Sequence, residues 1–253
     1  MPLRESEAFV LRSQPLGESD RVVTFLTRKV GKLRGVAKGA RRSHRRFGSN
    51  LEPLSRVRLS YFEREGADLT RIESAELLES FYRLQEDPVR GAVLACCAEV
   101  ADAFAREQQE DDAFFRLLHA VLLAVRNGLD LHWAQRYFEI WTLRLHGVLP
   151  SLESCPACGK RLSAQGARYN RDGSGMACGR CAGAPRPGDI TLPATTLSAA
   201  AEILAGPPGA LIGAPRAPGH LAPLAALAEA IFVDQTDRRF KSYEVLRALR
   251  SGA

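Results

Sequence analysis

The sequence lacks any apolar run that approaches the roughly 18 residues of a membrane span, and its polar, mixed-charge start does not have the pattern of a secretory signal peptide. It also lacks a phosphate-binding P-loop, because Gly31 and Lys32 are followed by Leu33 instead of Ser or Thr. No GxGxxG, GxSxG or HExxH motif occurs, and the histidines are isolated from one another. These absences predict a cytoplasmic protein that is not an enzyme.

The chain is long enough for a sizeable core. Its 253 residues are 45% hydrophobic and 25% charged, which is typical of globular proteins and not of disordered or fibrous ones. At about 150 residues per domain, this length predicts one large domain or two to three small ones. In a cytoplasmic protein, thiols stay reduced, so the six cysteines are expected to be ligands or core residues.

The net charge of +6 is unevenly distributed, and residues 21–50 hold ten basic residues and no acidic residue. A block of one sign is either fully solvated or binds a partner of opposite sign, and phosphate groups are the natural partner. We interpret this basic block as a nucleic-acid-binding segment, with a solvated charged loop as the alternative. Its members are Arg21, Arg28, Lys29, Lys32, Arg34, Lys38, Arg41, Arg42, Arg45 and Arg46.

Residues 1–80 show the apolar alternation of short β-strands between Gly, Pro and Ser, for example over residues 21–28 and 32–38. Residues 38–47 are too polar to pack as a strand and are expected to form a mobile loop. Several strands in a segment of this size favour a small barrel such as the five-stranded OB-fold. In such a barrel, exposed aromatic side chains can stack on bases. The candidates are Phe25, Phe47, Tyr61 and Phe62, although each is more readily interpreted as a core residue than as a stacking platform.

The pattern becomes helical after residue 81. Asp87 and Pro88 form a helix start, and apolar residues then recur at a spacing of three and four up to Phe104. Two further amphipathic patterns over residues 111–128 and 130–147 each start at an aspartate and end at a glycine. The sequence therefore predicts an antiparallel helical bundle over residues 81–150. A second helical part is predicted over residues 191–253, with patterns at residues 196–204, 220–233 and 241–249.

The segment 151–190 is rich in Gly, Pro, Ser and Cys, so it cannot build a core from its own side chains. It contains two CxxC pairs separated by nineteen residues, which is the spacing of a zinc ribbon. Four thiolates leave no open coordination position, so one structural Zn²⁺ is expected, with two disulfides or a redox pair as the alternatives. The cysteines at 96 and 97 lie in a helical pattern and are interpreted as core. The predicted ligands are Cys155, Cys158, Cys178 and Cys181.

Three features taken together resemble one known family. They are the run LGESDRVV at residues 16–23, the run GKLRGVAKGARR at residues 31–42, and the cysteine pairs. With these, the chain resembles the RecO family of bacterial DNA repair proteins over its full length, most densely in residues 1–50. The resemblance implies an α+β multidomain chain with an N-terminal OB-fold β-barrel, an α-helical bundle domain and a zinc-ribbon-like insertion with four cysteine ligands.

The resemblance also implies a function. It implies a recombination mediator that does not hydrolyse nucleotides, binds single- and double-stranded DNA and anneals complementary strands. With RecR it would help load RecA onto DNA coated by single-stranded DNA-binding protein. Arg21 and the basic residues from Lys29 to Arg46 would be DNA contacts, and zinc would support the fold. The role of the segment at residues 238–242 (RRFKS) is left open.

The helical part has an acidic balance over residues 81–150, with seven basic and ten acidic residues, which makes it a poor DNA surface. We expect the acidic, apolar-ended tail of the single-stranded DNA-binding protein to dock between helices of the C-terminal two-thirds of the chain, where cations such as Arg126, Arg136 or Arg144 would pair with its carboxylates. The same composition also fits two other hypotheses. One is an adaptor whose basic block binds an acidic protein tail, and the other is an RNA-binding zinc protein.

Overall fold

The computed structural model describes residues 2–42, 47–48, 50–63, 69–163, 165–171, 175–213 and 218–251. The chain forms two compact units, the first from Met1–Leu122 with Phe240–Ala253 and the second from Leu123–Arg239. The domain boundaries that the sequence suggests at residues 80, 150 and 190 stay predictions. None of the helices in the described ranges has the length and apolarity needed to cross a membrane.

The first unit begins with a closed barrel. Its strands follow the order β1-β2-β3-β5-β4, in which β3 and β5 pair in parallel and the other neighbours pair antiparallel. This arrangement confirms the predicted OB-like barrel and closes the sheet edges that an open sheet would leave unpaired. The strands are β1 (Leu3–Leu16), β2 (Asp20–Thr27), β3 (Gly31–Ala37), β4 (Arg56–Phe62) and β5 (Thr70–Glu79).

The barrel is filled by the inward-facing apolar side chains that the alternating sequence predicts. One member was not expected there: Phe47, at the end of the predicted mobile loop, is fully buried in this core. Its carbonyl accepts a hydrogen bond from the Asn50 backbone at 2.8 Å, and the Asn50 side chain donates to the Ala75 carbonyl. The C-terminal end of the basic block is therefore anchored in the barrel. The buried core residues are Ala8, Val10, Val23, Phe25, Ala37, Phe47, Leu51, Val57, Leu59, Tyr61, Ile72 and Ala75.

The remaining elements are mainly helical. Helices begin where the sequence places caps: Asp87 accepts a hydrogen bond from the backbone of Arg90, and Asp130 from that of Trp133. A three-stranded sheet lies in the second unit, with β6 in the middle. The helices are α1 (Pro88–Phe104), α2 (Asp112–Arg126), α3 (Leu131–Leu145), α4 (Ala194–Ala205), α5 (Ala222–Thr236) and α6 (Lys241–Ser251). The strands are β6 (Ala167–Asn170), β7 (Gly175–Ala177) and β8 (Ile190–Leu192).

In the first unit, α1 packs against β1, β2 and α6. The carboxylate of Glu99 on α1 accepts hydrogen bonds from the backbone N–H groups of Lys241 and Ser242, which are the first residues of α6. Because these N–H groups have no partner within their own helix, Glu99 acts as the cap of α6. Phe240 is buried beside them. The end of the segment 238–242, whose role was left open, thus begins a docked helix.

In the second unit, α3 packs against α4 and α5. Two aromatic side chains of α3 are tied to the end of α4, because the Tyr137 hydroxyl donates to the Gly206 carbonyl and the Trp141 indole donates to the Ile203 carbonyl, both at 2.9 Å. The helices predicted over residues 81–150 are therefore all present but divide between the units: α1 belongs to the first and α3 to the second.

A close backbone approach joins the barrel to the helices of the first unit at Gly31. This residue has a φ of +62°, and the neighbouring Lys32 backbone donates to the Arg106 carbonyl at 2.8 Å. A Cβ at Gly31 would lie 2.2 Å from the Gln109 carbonyl oxygen and 2.4 Å from that of Arg106. No side chain fits at this position without moving the connection between α1 and α2.

We predict that Gly31→Ala destabilises the first unit by about 1–2 kcal/mol for the left-handed backbone and by a further 1–3 kcal/mol or so for the overlap. Gly17→Ala is the matched control, because Gly17 has a φ of +59° and nothing within 4 Å of its added Cβ. Urea unfolding followed by circular dichroism measures both. Equal losses for the two variants would show that the contact at Gly31 contributes nothing.

Candidate nucleic-acid interface and metal centre

The pairing of β2 with β3 divides the basic block into two groups. Arg21 lies opposite Ala37 at one end of this hairpin, and Thr27 lies opposite Gly31 at the other. At about 3.3 Å per residue, the eight residues of β2 separate the two ends by roughly 23 Å. A block that is continuous in sequence is therefore split into two groups of cations at opposite ends of the hairpin.

The group at the open end of the hairpin, the cationic tip, consists of half-buried Arg21 with exposed Lys38, Arg41 and Arg42. The β1–β2 turn, residues 17–19, lies against it. The Arg41 guanidinium donates to the Gly17 carbonyl at 3.1 Å, and its backbone N–H donates to the Ser19 carbonyl at 3.0 Å. Arg21 is oriented by a 2.8 Å bond to the Ser13 hydroxyl. These bonds present the cations on an ordered surface.

Asp20 joins the two segments of the cationic tip. Its carboxylate accepts hydrogen bonds from the Gly39 backbone at 2.8 Å and from the Ser19 hydroxyl at 3.0 Å. The Gly39 bond, followed by the Ser19 bond and the charges of Lys38 and Arg42, lowers the pKa of Asp20 below its usual value. The carboxylate therefore contributes to stability above its unfolded-state pKa, and this contribution is lost as the pH falls through the lowered value.

The group at the hairpin turn is mostly engaged with helices. The Lys32 ammonium donates to the Asp102 carbonyl at 2.9 Å, among the last carbonyl groups of α1, where a cation is favourable. The Arg28 guanidinium lies 2.6 Å from the Asp112 carboxylate. Lys29 is exposed. Two of these three cations thus have structural partners.

The other predicted DNA contacts lie elsewhere or are not described. Arg34 is exposed on β3, opposite buried Thr24 of β2. Arg45 and Arg46 lie outside the described residues. The DNA contacts stay predictions, and the structure brings together Arg21, Lys38, Arg41 and Arg42 while it separates Lys29 and Lys32 from them.

Three of the four candidate base-stacking aromatics are core residues instead, which is the interpretation that the sequence favoured for each of them. Phe25 and Phe47 are fully buried in the barrel, and Tyr61 is 5% exposed, with a pKa raised chiefly by that burial. These rings fill the closed barrel and present no face to a base. Phe62 is half-buried, and the guanidinium of Arg71 lies over its ring, 5.3 Å from the centroid.

The four predicted metal ligands come together in the second unit, where their Sγ atoms all lie within 4.8 Å of one another. Each CxxC pair forms the same tight turn. The backbone N–H groups of Cys158 and Gly159 donate to the Cys155 carbonyl, and those of Cys181 and Ala182 donate to the carbonyl of the residue at 178. The two turns face each other, so the four thiols surround a common centre.

The distances fit a tetrahedral metal ion. Ligands at about 2.3 Å from Zn²⁺ are about 3.8 Å apart in a tetrahedron, and the Sγ atoms of Cys158 and Cys178 are 3.8 Å apart. N–H donors, first that of Cys178, lower the pKa of the Cys155 thiol to about 6. Hydrogen bonds with Cys158 and Cys178 raise the pKa of Cys181 to about 12. Four neighbouring thiolates repel one another, so some of the thiols stay protonated and hydrogen-bond to the others unless a cation lies among them. The donor set therefore suits a metal ion.

One of the three arginines proposed to meet an acidic tail is not on the surface. Arg136 is 6% exposed and forms an ion pair with buried Glu139 one turn further along α3, so its proposed role was wrong. A helical pattern places charges on a face, but only the packing shows whether that face is covered. Arg144 is exposed, and its guanidinium lies 5.3 Å from the centroid of the Trp141 ring.

An OB-like barrel, a helical part and a four-thiol cluster in one chain define an α+β protein of the OB-fold class with four cysteines that could hold a metal ion. Two family models match the chain and identify the particular family. The model described as Recombination protein O N terminal matches residues 1–81, and the model described as Recombination protein O C terminal matches residues 85–244. The chain belongs to the RecO family.

Curated relatives carry the name DNA repair protein RecO. The chain is 44% identical over 160 residues to the protein of Koribacter versatilis, an alignment that covers 63% of this chain and 65% of that relative. It is 39% identical over 210 residues to the protein of Anaeromyxobacter sp. strain K, which covers 83% of this chain and 82% of the relative. It is 34% identical over 181 residues to that of Geobacter metallireducens, which covers 72% of this chain and 73% of the relative.

We predict that the purified protein holds about one Zn²⁺ and that Cys155→Ser removes it, because the remaining three thiols no longer close the coordination shell. Residues 150–190 should then become sensitive to limited proteolysis. Cys97→Ala is the matched control, since Cys97 is a buried thiol of α1 outside the cluster. Elemental analysis under reducing conditions gives the stoichiometry, and a parent protein without metal would exclude the site.

Proposed function

We propose that this protein is a DNA repair and recombination mediator that binds single- and double-stranded DNA and anneals complementary strands. With RecR it would help load RecA onto DNA coated by single-stranded DNA-binding protein. The observation that carries the proposal is the cationic tip on the OB-like barrel, because OB-folds bind oligonucleotides with strands 2 and 3 and with the loop between strands 1 and 2. Membership of the RecO family supports it.

The proposed mechanism is electrostatic. Exposed Lys38, Arg41 and Arg42 replace the counterions of a DNA backbone, and the released ions drive binding. Two single strands repel each other less when both lie against such cations, so base pairing between them can proceed. Phosphates carry no sequence information, and the proposed binding is therefore independent of sequence.

The proposed cofactor is one structural Zn²⁺ held by the four cysteines. When bound, it supplies cross-links between two turns in a segment with few apolar residues of its own. Cys155 and Cys178 are buried and Cys158 and Cys181 are exposed, so the thiols join the interior of the second unit to its surface. With all four positions filled by sulfur, the ion would have no room for substrate.

We further propose that the protein acts without hydrolysing nucleotides, in the cytoplasm and in association with the nucleoid. The absence of a P-loop from the sequence supports the first part. The proposed DNA ligand supports the proposed location in the cytoplasm and at the nucleoid. Annealing should therefore proceed without ATP and without Mg²⁺.

A cavity in the second unit supports the proposed docking of the acidic, apolar-ended tail of the single-stranded DNA-binding protein. The cavity has a volume of about 270 Å³ and combines apolar side chains with one cation, Arg144, and one acid, Glu153. An apolar chain end fits the wall, and the acidic residues before it would meet the arginine. The lining residues are Arg144, Leu152, Glu153, Leu197, Ala201, Leu204 and Ala205.

We predict that replacing Arg41, Arg42, Arg45 and Arg46 by Ala lowers DNA affinity and reduces the slope of log affinity against log salt. Each lost phosphate contact on single-stranded DNA reduces the slope by about 0.7, so four contacts reduce it by up to roughly 3 and the pair at 41 and 42 by up to about 1.4. Titrations with labelled DNA at several salt concentrations measure this, with annealing assayed in parallel in EDTA without ATP.

The matched control is the double variant Arg58→Ala, Arg116→Ala. These arginines are exposed on β4 and α2, where they pair with Glu76 and Asp112. The variant removes the same charge as the pair at 41 and 42 at positions outside the cationic tip. A parental salt slope in the folded quadruple variant would contradict the proposed interface and favour an adaptor that binds an acidic protein, whereas preference for RNA over DNA would favour the RNA-binding hypothesis.

We predict that Ala201→Glu and Arg144→Glu each weaken binding of a synthetic acidic, apolar-ended tail peptide by roughly tenfold. The first places a charge on the wall that the apolar chain end would contact, and the second replaces the cation that the peptide's carboxylates would meet. Ala210→Glu is the matched control, because Ala210 is an exposed alanine of the second unit outside the cavity lining. Isothermal titration calorimetry with the full chain measures the affinity. Equal affinities for all three variants would place the peptide elsewhere.

A further inference from the structure

Leu16 is the last residue of β1 and is 44% exposed. Single exposed leucines are common on protein surfaces, so exposure alone does not indicate a function. The position of this leucine is unusual, because it borders the β1–β2 turn at which the cationic tip is assembled. Leu16 pairs with Asp20 across the strand ladder, and Asp20 holds the tip together.

The turn beside Leu16 is braced from both sides. Arg41 contributes two hydrogen bonds, one from its guanidinium to the Gly17 carbonyl and one from its backbone to the Ser19 carbonyl. On the other side, β1 and β2 pair without interruption from Ser13 to Leu16. An exposed side chain on a braced turn keeps its position when it meets a ligand, so little conformational entropy is lost on contact.

We propose that Leu16 packs against a nucleobase of the bound strand, as an apolar contact between the phosphates that the cationic tip holds. The proposal rests on the proposed function and deepens it, since it names the part of the DNA that this residue meets. A nucleic acid presents apolar base faces within a few ångströms of its phosphates, and this combination matches an apolar side chain surrounded by cations. Apolar side chains, leucine among them, contact and unstack bases in other DNA-binding proteins.

The surrounding charge favours DNA over an apolar protein partner. The tip carries Arg21, Lys38, Arg41 and Arg42 against the carboxylates of Glu18 and Asp20. Of these acids, Asp20 is committed to the Gly39 and Ser19 bonds, and Glu18 lies 3.6 Å from Arg42 at the surface. The net charge is positive, so an anionic ligand is attracted to the position at which Leu16 is exposed.

Leu3, at the other end of the same strand, is the matched control. It is 53% exposed, pairs with Phe62 across the ladder, and is followed by Arg4, which is neutralised by Glu63 at 3.0 Å. Leu3→Ser therefore removes a similar apolar surface from the same strand without affecting a cationic surface. A general effect of surface apolarity would act on both leucines, whereas a base contact would act on Leu16 alone.

The experiment uses the full chain and two single-stranded ligands of equal length, oligodeoxythymidine and an abasic strand. Both carry the same phosphates, but only the first carries bases. We expect Leu16→Ser to weaken binding to oligodeoxythymidine by roughly three- to tenfold, the effect of losing part of one buried leucine, and to leave abasic binding and the salt slope unchanged. Leu16→Met, which keeps an apolar side chain, should restore affinity, and Leu3→Ser should match the parent on both ligands.

Each outcome decides the proposal. An equal loss on both ligands would show that Leu16 only supports the turn, and an unchanged affinity for oligodeoxythymidine would show that it touches no base; either result overturns the inference and leaves the proposed function standing. A parent protein that binds neither strand would overturn both. Circular dichroism and urea unfolding of each variant establish that the fold is retained.

Discussion

The hydrogen bond between the Asp20 carboxylate and the Gly39 backbone determines how the N-terminal part presents its charge. Asp20 begins β2, and Gly39 follows β3, so this one bond joins the start of the hairpin to the loop that leaves it. The bond holds the negative charge of the Asp20 carboxylate beside Lys38 and Arg42, and this charge offsets part of the repulsion between the two cations. Without this bond, the cations would be close in sequence but would not be held together on one surface.

The two units solve the problem of stability in different ways. The first closes its sheet into a barrel and fills it with aromatic and branched side chains, so burial of apolar surface supplies most of the free energy of folding. In the second, residues 151–190 have few such side chains, and a metal ion bound by the four thiols would hold two turns together instead. Gly31 allows the hairpin turn to reach the α1–α2 connection, which ties the barrel to the helices of its own unit.

Local patterns predicted most elements. Alternation gave β2 and β3 to within a residue, and Asp87 and Asp130 marked helix starts, because strand faces and helix caps depend on near neighbours in the chain. The interpretation of Phe47 as a possible stacking residue failed for the opposite reason, and the core alternative was correct. This residue follows a highly charged stretch, and only closure of the barrel provides the cavity that buries it. Arg136 failed likewise, since its burial depends on packing within the second unit.

The sequence by itself determined the composition of the sites: two CxxC turns with four thiols that could hold one ion, and a run of cations without a single acid. These follow from residue types and short separations, which the chain carries wherever it folds. The tertiary structure decided which cations act together. The β2–β3 register sends Lys32 to the end of α1 and gathers Arg41 with Arg21, and the β1–β2 turn adds Leu16 to them, because strand pairing brings distant residues together and separates near ones.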